Sequence, residues 1–259
     1  MTVKEISDHF FMFKFTYKGS FDNHIYAFIN NNNEALIIDT GYKEDMKRLL
    51  KYFEEKKIKI NRVVLTHYHE DHFEGLKLLK DVQIIASREY THAINQYYLD
   101  DPINDEQYFP DIFTEDIDSV QHGSFELKFF NAPGHSKCSI HIIINNDYIH
   151  VSDNIMHSDQ GMPHVPLPYY SFTQFIESLV KLKPYSFHKM IASHSDDVFC
   201  ENITPEVIQV MIKYLETFMK SEKELTLDEM MTEINPNNEI QFDPKWHKRA
   251  YELFRELGQ

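Results

Sequence analysis

The sequence predicts an α/β domain over residues 1–203 followed by a helical extension over 204–259. Three observations carry this reading. Runs rich in aromatic and β-branched residues alternate with stretches whose apolar residues recur every third or fourth position. This strand-and-helix rhythm occurs twice along the chain. The last segment keeps only the helical spacing.

In the first half, residues 10–17, 25–30 and 35–39 read as strands separated by GSFDN and NNNNE. Thr40 and Gly41 make a turn, and residues 43–57 set Met46, Leu49, Leu50 and Phe53 on one helical face. Residues 62–66 read as a short buried strand, and 73–80 resume helical spacing through Phe73, Leu76 and Leu79. The acidic segment 100–118, with two prolines, reads as an excursion over the surface.

The second half predicts strands near 125–131, 139–145 and 148–152, a helix near 172–181 and a strand at 189–193. In the extension, Met211, Tyr214, Leu215 and Phe218 share one helical face, as do Trp246, Ala250, Leu253 and Leu257, with a break at 235–238. Capping a pocket, packing on the core and forming a homodimer are all open to this segment.

Composition narrows the function. Asp and Glu number 41 against 26 Lys and Arg, a net charge of -15 that opposes binding to nucleic acid. The N-terminal residues lack the pattern of an export signal, and no run of about 18 apolar residues suggests a membrane span. The expected address is the cytosol. Cys138 and Cys200 are too few for a disulfide framework and read as free thiols.

The halves share a coarse pattern. LIID ends at Asp39 and VVLTH at His67; YIHVSD ends at Asp153 and MIASH at His194. Each half thus offers one strand ending in Asp and one ending in His. Sheet-against-sheet packing of the halves would gather these four polar ends at one edge.

The densest chemistry lies in THYHEDHFEG, residues 66–75. His67 and His69 are two apart after a strand and point to one side if the chain stays extended. Asp71 and His72 follow where the chain turns towards a helix. Three imidazoles and a carboxylate so close together suit a transition metal. His135 in NAPGHS, Asp153 in HVSDN and His194 in ASHSD each follow a predicted strand or turn.

This ordered set, HxHxDH, PGHS, a strand-ending Asp and a strand-ending His, resembles the metallo-β-lactamase superfamily over roughly residues 5–200. The resemblance implies a four-layer αββα sandwich and two metal ions, zinc first, with iron or manganese as alternatives. It implies that His67, His69 and His135 bind one ion, Asp71, His72 and His194 the other, and that Asp153 bridges them. Asp39, in Asp39-Thr40-Gly41, would support the metal loop by hydrogen bonds. Where the family often carries glycine, this chain has Ser152, Ser193, Ser195 and Cys138.

Such a site implies a bridging hydroxide as nucleophile, with Asp71 orienting the attacking water. The expected reaction is hydrolysis of an ester, lactone, thioester or amide of a small molecule. Segment 154–170 is expected to form a pocket wall, offering His157, His164, Tyr169 and Tyr170 as substrate contacts. Packing of a proline-rich loop is the plainer account of each. Phe10, Phe11, Phe13 and Phe15 read first as a hydrophobic strand and second, with Tyr17 and Phe21, as an apolar substrate rim. Alternatives are an iron-dependent oxidoreductase of the persulfide-dioxygenase kind, a metal-stabilised binding protein and, disfavoured by the missing export signal, an antibiotic-hydrolysing β-lactamase.

Overall fold

The computed structural model describes residues 1–18, 21–97, 106–157, 162–221, 223–235, 237 and 240–258. The chain opens with four antiparallel strands, β1 (Thr2–Ser7), β2 (Phe10–Phe15), β3 (Asn23–Ile29) and β4 (Glu34–Ile38). Helix α1 (Lys43–Lys56) crosses back to β5 (Lys59–Val64), which lies parallel to β4. Short α2 (Glu70–Phe73) continues as a 3-10 helix, Glu74–Leu78, before β6 (Gln83–Ala86), α3 (Tyr90–Tyr97) and β7 (Ile112–Phe113). These seven strands form one sheet in sequence order, with β4 to β7 parallel.

The second sheet begins with an antiparallel meander, β8 (Ser119–His122), β9 (Phe125–Asn131), β10 (Ile140–Ile144) and β11 (Tyr148–His150). A two-stranded ribbon, β12 (Met156–His157) and β13 (Pro163–His164), stands apart from it. Helix α4 (Phe172–Leu182) then leads to β14 (Lys189–Ile191), parallel to β11. The chain closes with α5 (Pro205–Lys220), α6 (Leu227–Ile234) and α7 (Pro244–Glu256).

The period-two alternation of buried strands builds the layers. In β3, Tyr26 and Phe28 face Ile142 and Ile144 of the second sheet. Ile25, Ala27 and Ile29 face the other way, onto Met46, Leu49 and Phe53 of α1. On the far side, Ile143 and Ile149 meet Phe172, Phe175 and Leu179 of α4 and Ile208, Met211 and Leu215 of α5. The result is a four-layer αββα sandwich with C-terminal helices. Two parallel strand pairs with crossover helices, β4-α1-β5 and β11-α4-β14, account for the repeated pattern in the sequence.

Several expectations shift. The helix expected over 73–80 begins earlier, at Glu70, and tightens to a 3-10 helix. This turn packs closely on the Asp39-Thr40-Gly41 turn, where a Cβ on Gly75 would stand 2.5 Å from the Thr40 carbonyl oxygen. Strands β1, β6 and β8 and helix α3 escaped the periodicity because each is short or edge-exposed. Of segment 100–118, residues 100–105 lie outside the described ones, while β7 of the remainder joins the first sheet. The C-terminal extension packs on the core, and Trp246 also reaches a cavity described below. Among the described residues no helix is long and apolar enough to cross a membrane.

Candidate metal centre

The polar strand ends meet at one edge of the sandwich. Two backbone bonds tie the sheets together beside them, Ile140 N to Thr66 O at 3.0 Å and His24 N to Ser193 O at 2.9 Å. Asp39 follows β4 with φ of 60°, and Ser152 follows β11 with φ of 52°. These left-handed turns end each strand and redirect the chain across the edge.

Three groups of side chains there could hold a metal ion: His67, His69 and His135; His67, His72 and Asp153; and Asp71, His72 and His194. Within each, the ligand atoms lie within 4.8 Å of one another. Asp153 Oδ2 occupies the middle, 3.3 Å from His194 Nε2, 3.4 Å from His72 Nε2, 3.5 Å from His135 Nε2 and 3.9 Å from His67 Nε2. Asp71 reaches His194 Nε2 at 3.3 Å and His72 Nε2 at 3.6 Å. The structure therefore brings together all seven residues named as ligands from the sequence.

The donor set fits a metal. His67 Nε2, His72 Nε2 and Asp153 Oδ1 are buried and have no hydrogen-bond partner, a costly state unless an ion satisfies them. The opposite ring nitrogens are anchored. His72 Nδ1 lies 2.9 Å from Asp39 Oδ2, His135 Nδ1 2.9 Å from Leu167 O, and His194 Nδ1 2.8 Å from Asp22 O. His67 Nδ1 meets Thr66 Oγ1 at 3.1 Å and Ser152 Oγ at 3.2 Å. Such partners orient the rings and fix which nitrogen faces the shared space.

Asp39 serves more than one group. It also accepts the Thr66 backbone N–H at 2.8 Å and the Thr66 hydroxyl at 2.8 Å, so it holds the start of the histidine loop. Gly134, just before His135, is required by close approach. With φ of 141°, a Cβ there would lie 2.3 Å from Phe175 Cα.

The electrostatics demand positive charge. Burial holds His67 and His69 well below the usual imidazole range, and His135 below it. Burial acts the same way on His72 and His194, but nearby carboxylates overcome it. Asp153, Asp71 and Asp39 raise His72 well above its ordinary value, and Asp153 with Asp71 raises His194 to about 10. Against burial, His72 and His194 push Asp71 and Asp153 down. Both carboxylates thus stay ionised, and cations can replace the protons that otherwise compensate them.

A cavity of about 460 Å³ opens over His69, Asp71, His135, Asp153 and His194. Its walls include Tyr17, Phe21, Asn23, Tyr42, Tyr169 and Trp246. Of the four expected substrate contacts, only Tyr169 lines it, with its ring 5.8 Å from His69 and 5.5 Å from His135. Tyr170 instead packs edge-on against His92 at 5.0 Å. His157 Nε2 bonds Glu201 O at 2.9 Å, and His164 rests against Trp246 at 4.6 Å without lining the cavity. In the ribbon β12–β13, His157 pairs with Pro163 on the face opposite Met156, whereas His164 shares the face of Met156 but is covered by Trp246. Tyr17 and Phe21 do form rim, whereas Phe10, Phe13 and Phe15 are core.

Asn23, Tyr42 and Trp246 were not singled out from the sequence as site residues. Asn23 Nδ2 donates to Asp71 O at 2.7 Å, steadying the loop that carries Asp71. Only adjacency to the Asp39-Thr40-Gly41 turn hinted at Tyr42, and nothing local marked the other two. Cys138 is a buried thiol pushed up to about 11 by burial, so it is packing rather than a nucleophile.

The model of the metallo-beta-lactamase superfamily matches residues 21–194. A hydroxyacylglutathione hydrolase of Pelagibacter ubique is 26% identical over 215 residues, covering 79% of this chain and 81% of that protein. Another from Francisella philomiragia is 25% identical over 183 residues, 68% of this chain and 66% of that one. Among solved structures, a metallo-beta-lactamase from Pontibacter korlensis superposes with a TM-score of 0.60 at 17% identity, covering 74% of this chain and 90% of that one. The chain belongs to the metallo-β-lactamase superfamily.

Proposed function

We propose that the protein is a binuclear metal-dependent hydrolase that cleaves an ester, lactone, thioester or amide bond of a small molecule. The observation that carries the proposal is the position of Asp153 Oδ2, within 3.9 Å of four imidazole nitrogens at the floor of a substrate-sized cavity. His67, His69 and His135 would hold one ion and Asp71, His72 and His194 the other, with Asp153 shared. The imidazole and carboxylate set favours zinc. Ions held there would supply Lewis acidity, ionising water near neutral pH and polarising a carbonyl oxygen.

The chain's own residues do the rest. Asp71 lines the cavity and remains ionised, which suits it to orient the attacking water. Tyr169 closes the side above His69 and His135 and helps exclude bulk water. The curated relatives named as hydrolases of an acylglutathione support attack at an activated carbonyl. The test is elemental analysis with turnover of lactone, thioester and phosphodiester panels. About two zinc ions per chain and chelator-sensitive hydrolysis restored by zinc are expected. One iron per chain without hydrolysis would reject the proposal.

A further inference from the structure

We infer that the cavity selects an uncharged substrate carrying a bulky apolar group, and that Trp246 of α7 is the specificity-determining residue. The inference rests on the hydrolase proposal above and deepens it.

Five aromatic side chains, Tyr17, Phe21, Tyr42, Tyr169 and Trp246, form much of the cavity wall. Among the described residues no lysine or arginine lines it, and its carboxylates are Asp71 and Asp153. Neighbouring cations are engaged: Lys14 with Asp22 at 2.6 Å, and Arg249 of α7 with Glu256 at 2.8 Å. Away from the metal-binding floor, a substrate carboxylate held against this wall would lose hydration without gaining a cationic side chain, which is costly. The net charge of -15 repels it beforehand. An apolar ring or chain, by contrast, gains aromatic contact area.

Trp246 is built into place. Asp243 caps α7, accepting from Trp246 N at 3.2 Å and Lys245 N at 2.7 Å, and Pro244 begins the helix. The indole sits 5.2 Å from Phe21 and 4.6 Å from His164, so His164 serves as its backing. Trp246 lies outside residues 21–194, the part matched by the family model. The proposed metal-binding residues, His67 to His194, all lie within that match, while Trp246 comes from a segment beyond it. Glutathione bears two carboxylates and an ammonium group, so the preference separates this chain from its acylglutathione-hydrolysing relatives.

The experiment compares phenylacetyl thioesters of N-acetylcysteamine and of glutathione, which share the acyl group and differ in the charge of the thiol. With metal-loaded protein, kcat/KM for the neutral thioester should exceed that for the glutathione thioester by about tenfold or more. Trp246→Ala should lower the neutral value by about tenfold and collapse the ratio, and Trp246→Phe should restore most of it. Trp246 is the chain's sole tryptophan, so its emission reports occupancy independently of turnover. Neutral 4-phenylbutan-2-one should change it saturably, and S-benzylglutathione at equal concentration should not. Preference for the glutathione thioester, equal losses for both in Trp246→Ala, or a larger emission change with S-benzylglutathione would each overturn the inference. A saturable response to the ketone, with neither thioester nor any member of the lactone, thioester and phosphodiester panels hydrolysed, would sink the hydrolase proposal while upholding the cavity's preference.

Discussion

Ser152 holds its backbone at φ of 52° while its hydroxyl oxygen lies 3.2 Å from His67 Nδ1. A left-handed residue costs about 1 kcal/mol when it is not glycine, yet here the side chain orients a proposed metal ligand. Ser152→Gly should relieve the backbone and raise the apo protein's stability by up to about 1 kcal/mol. The same change should weaken zinc binding several-fold by freeing His67. Thermal melts of apo protein and competitive chelator titrations check both signs; a variant with unchanged zinc affinity would show that Thr66 alone orients the ring.

Asp153 and Asp39 are expected to fail differently. Asp153→Ala removes the central carboxylate and should abolish hydrolysis with the fold largely retained. Asp39→Asn leaves the seven ligands in place but weakens the anchor of His72 and Thr66, so metal affinity should fall about 10- to 100-fold, with activity partly recovered in excess zinc. Full activity in Asp153→Ala would overturn the site assignment.

Acid should destabilise the fold through His141. Both of its ring nitrogens are buried without a partner, and burial lowers its pKa to about 3. The unfolded chain takes a proton near pH 6.5 whereas the folded one resists it, so stability present above pH 6.5 is lost as pH falls towards 3. The loss from this residue is on the order of 3 kcal/mol by pH 4. His141→Leu should therefore flatten the acid side of a melting-temperature profile.

Deleting residues 204–259 should leave an unstable or aggregating fragment. Helix α5 buries Val207, Ile208, Met211, Leu215 and Phe218, several of them against Phe172, Phe175 and Leu179. At about 1.5–3 kcal/mol per large side chain, this is comparable to the whole margin of a typical domain. Gel filtration and a thermal melt decide the matter, and a soluble fragment with an unchanged melt would make the extension an independent unit.

Strands β4 and β11, which lead into Asp39 and Asp153, were legible because they are buried, and burial writes an apolar pattern into sequence. Short β6 and β7 left too few residues for a period, and α2 could not be distinguished from the 3-10 helix that follows it. His157 and His164 illustrate a different limit: their loop was correctly placed beside Asp153, but which way each ring turned depended on ribbon pairing and on Glu201 and Trp246.

By itself, the sequence determined the α/β class, the family resemblance and the seven candidate ligands, since His67 to His72 lie on one short segment and the others each follow a strand or turn. Only tertiary structure decided that Asp153 Oδ2 stands amid four imidazoles and that Tyr17, Tyr42 and Trp246 share one cavity. Periodicity records which face of an element is buried. It does not record what an element more than two hundred residues away in the chain, such as α7 relative to Tyr17, places opposite that face.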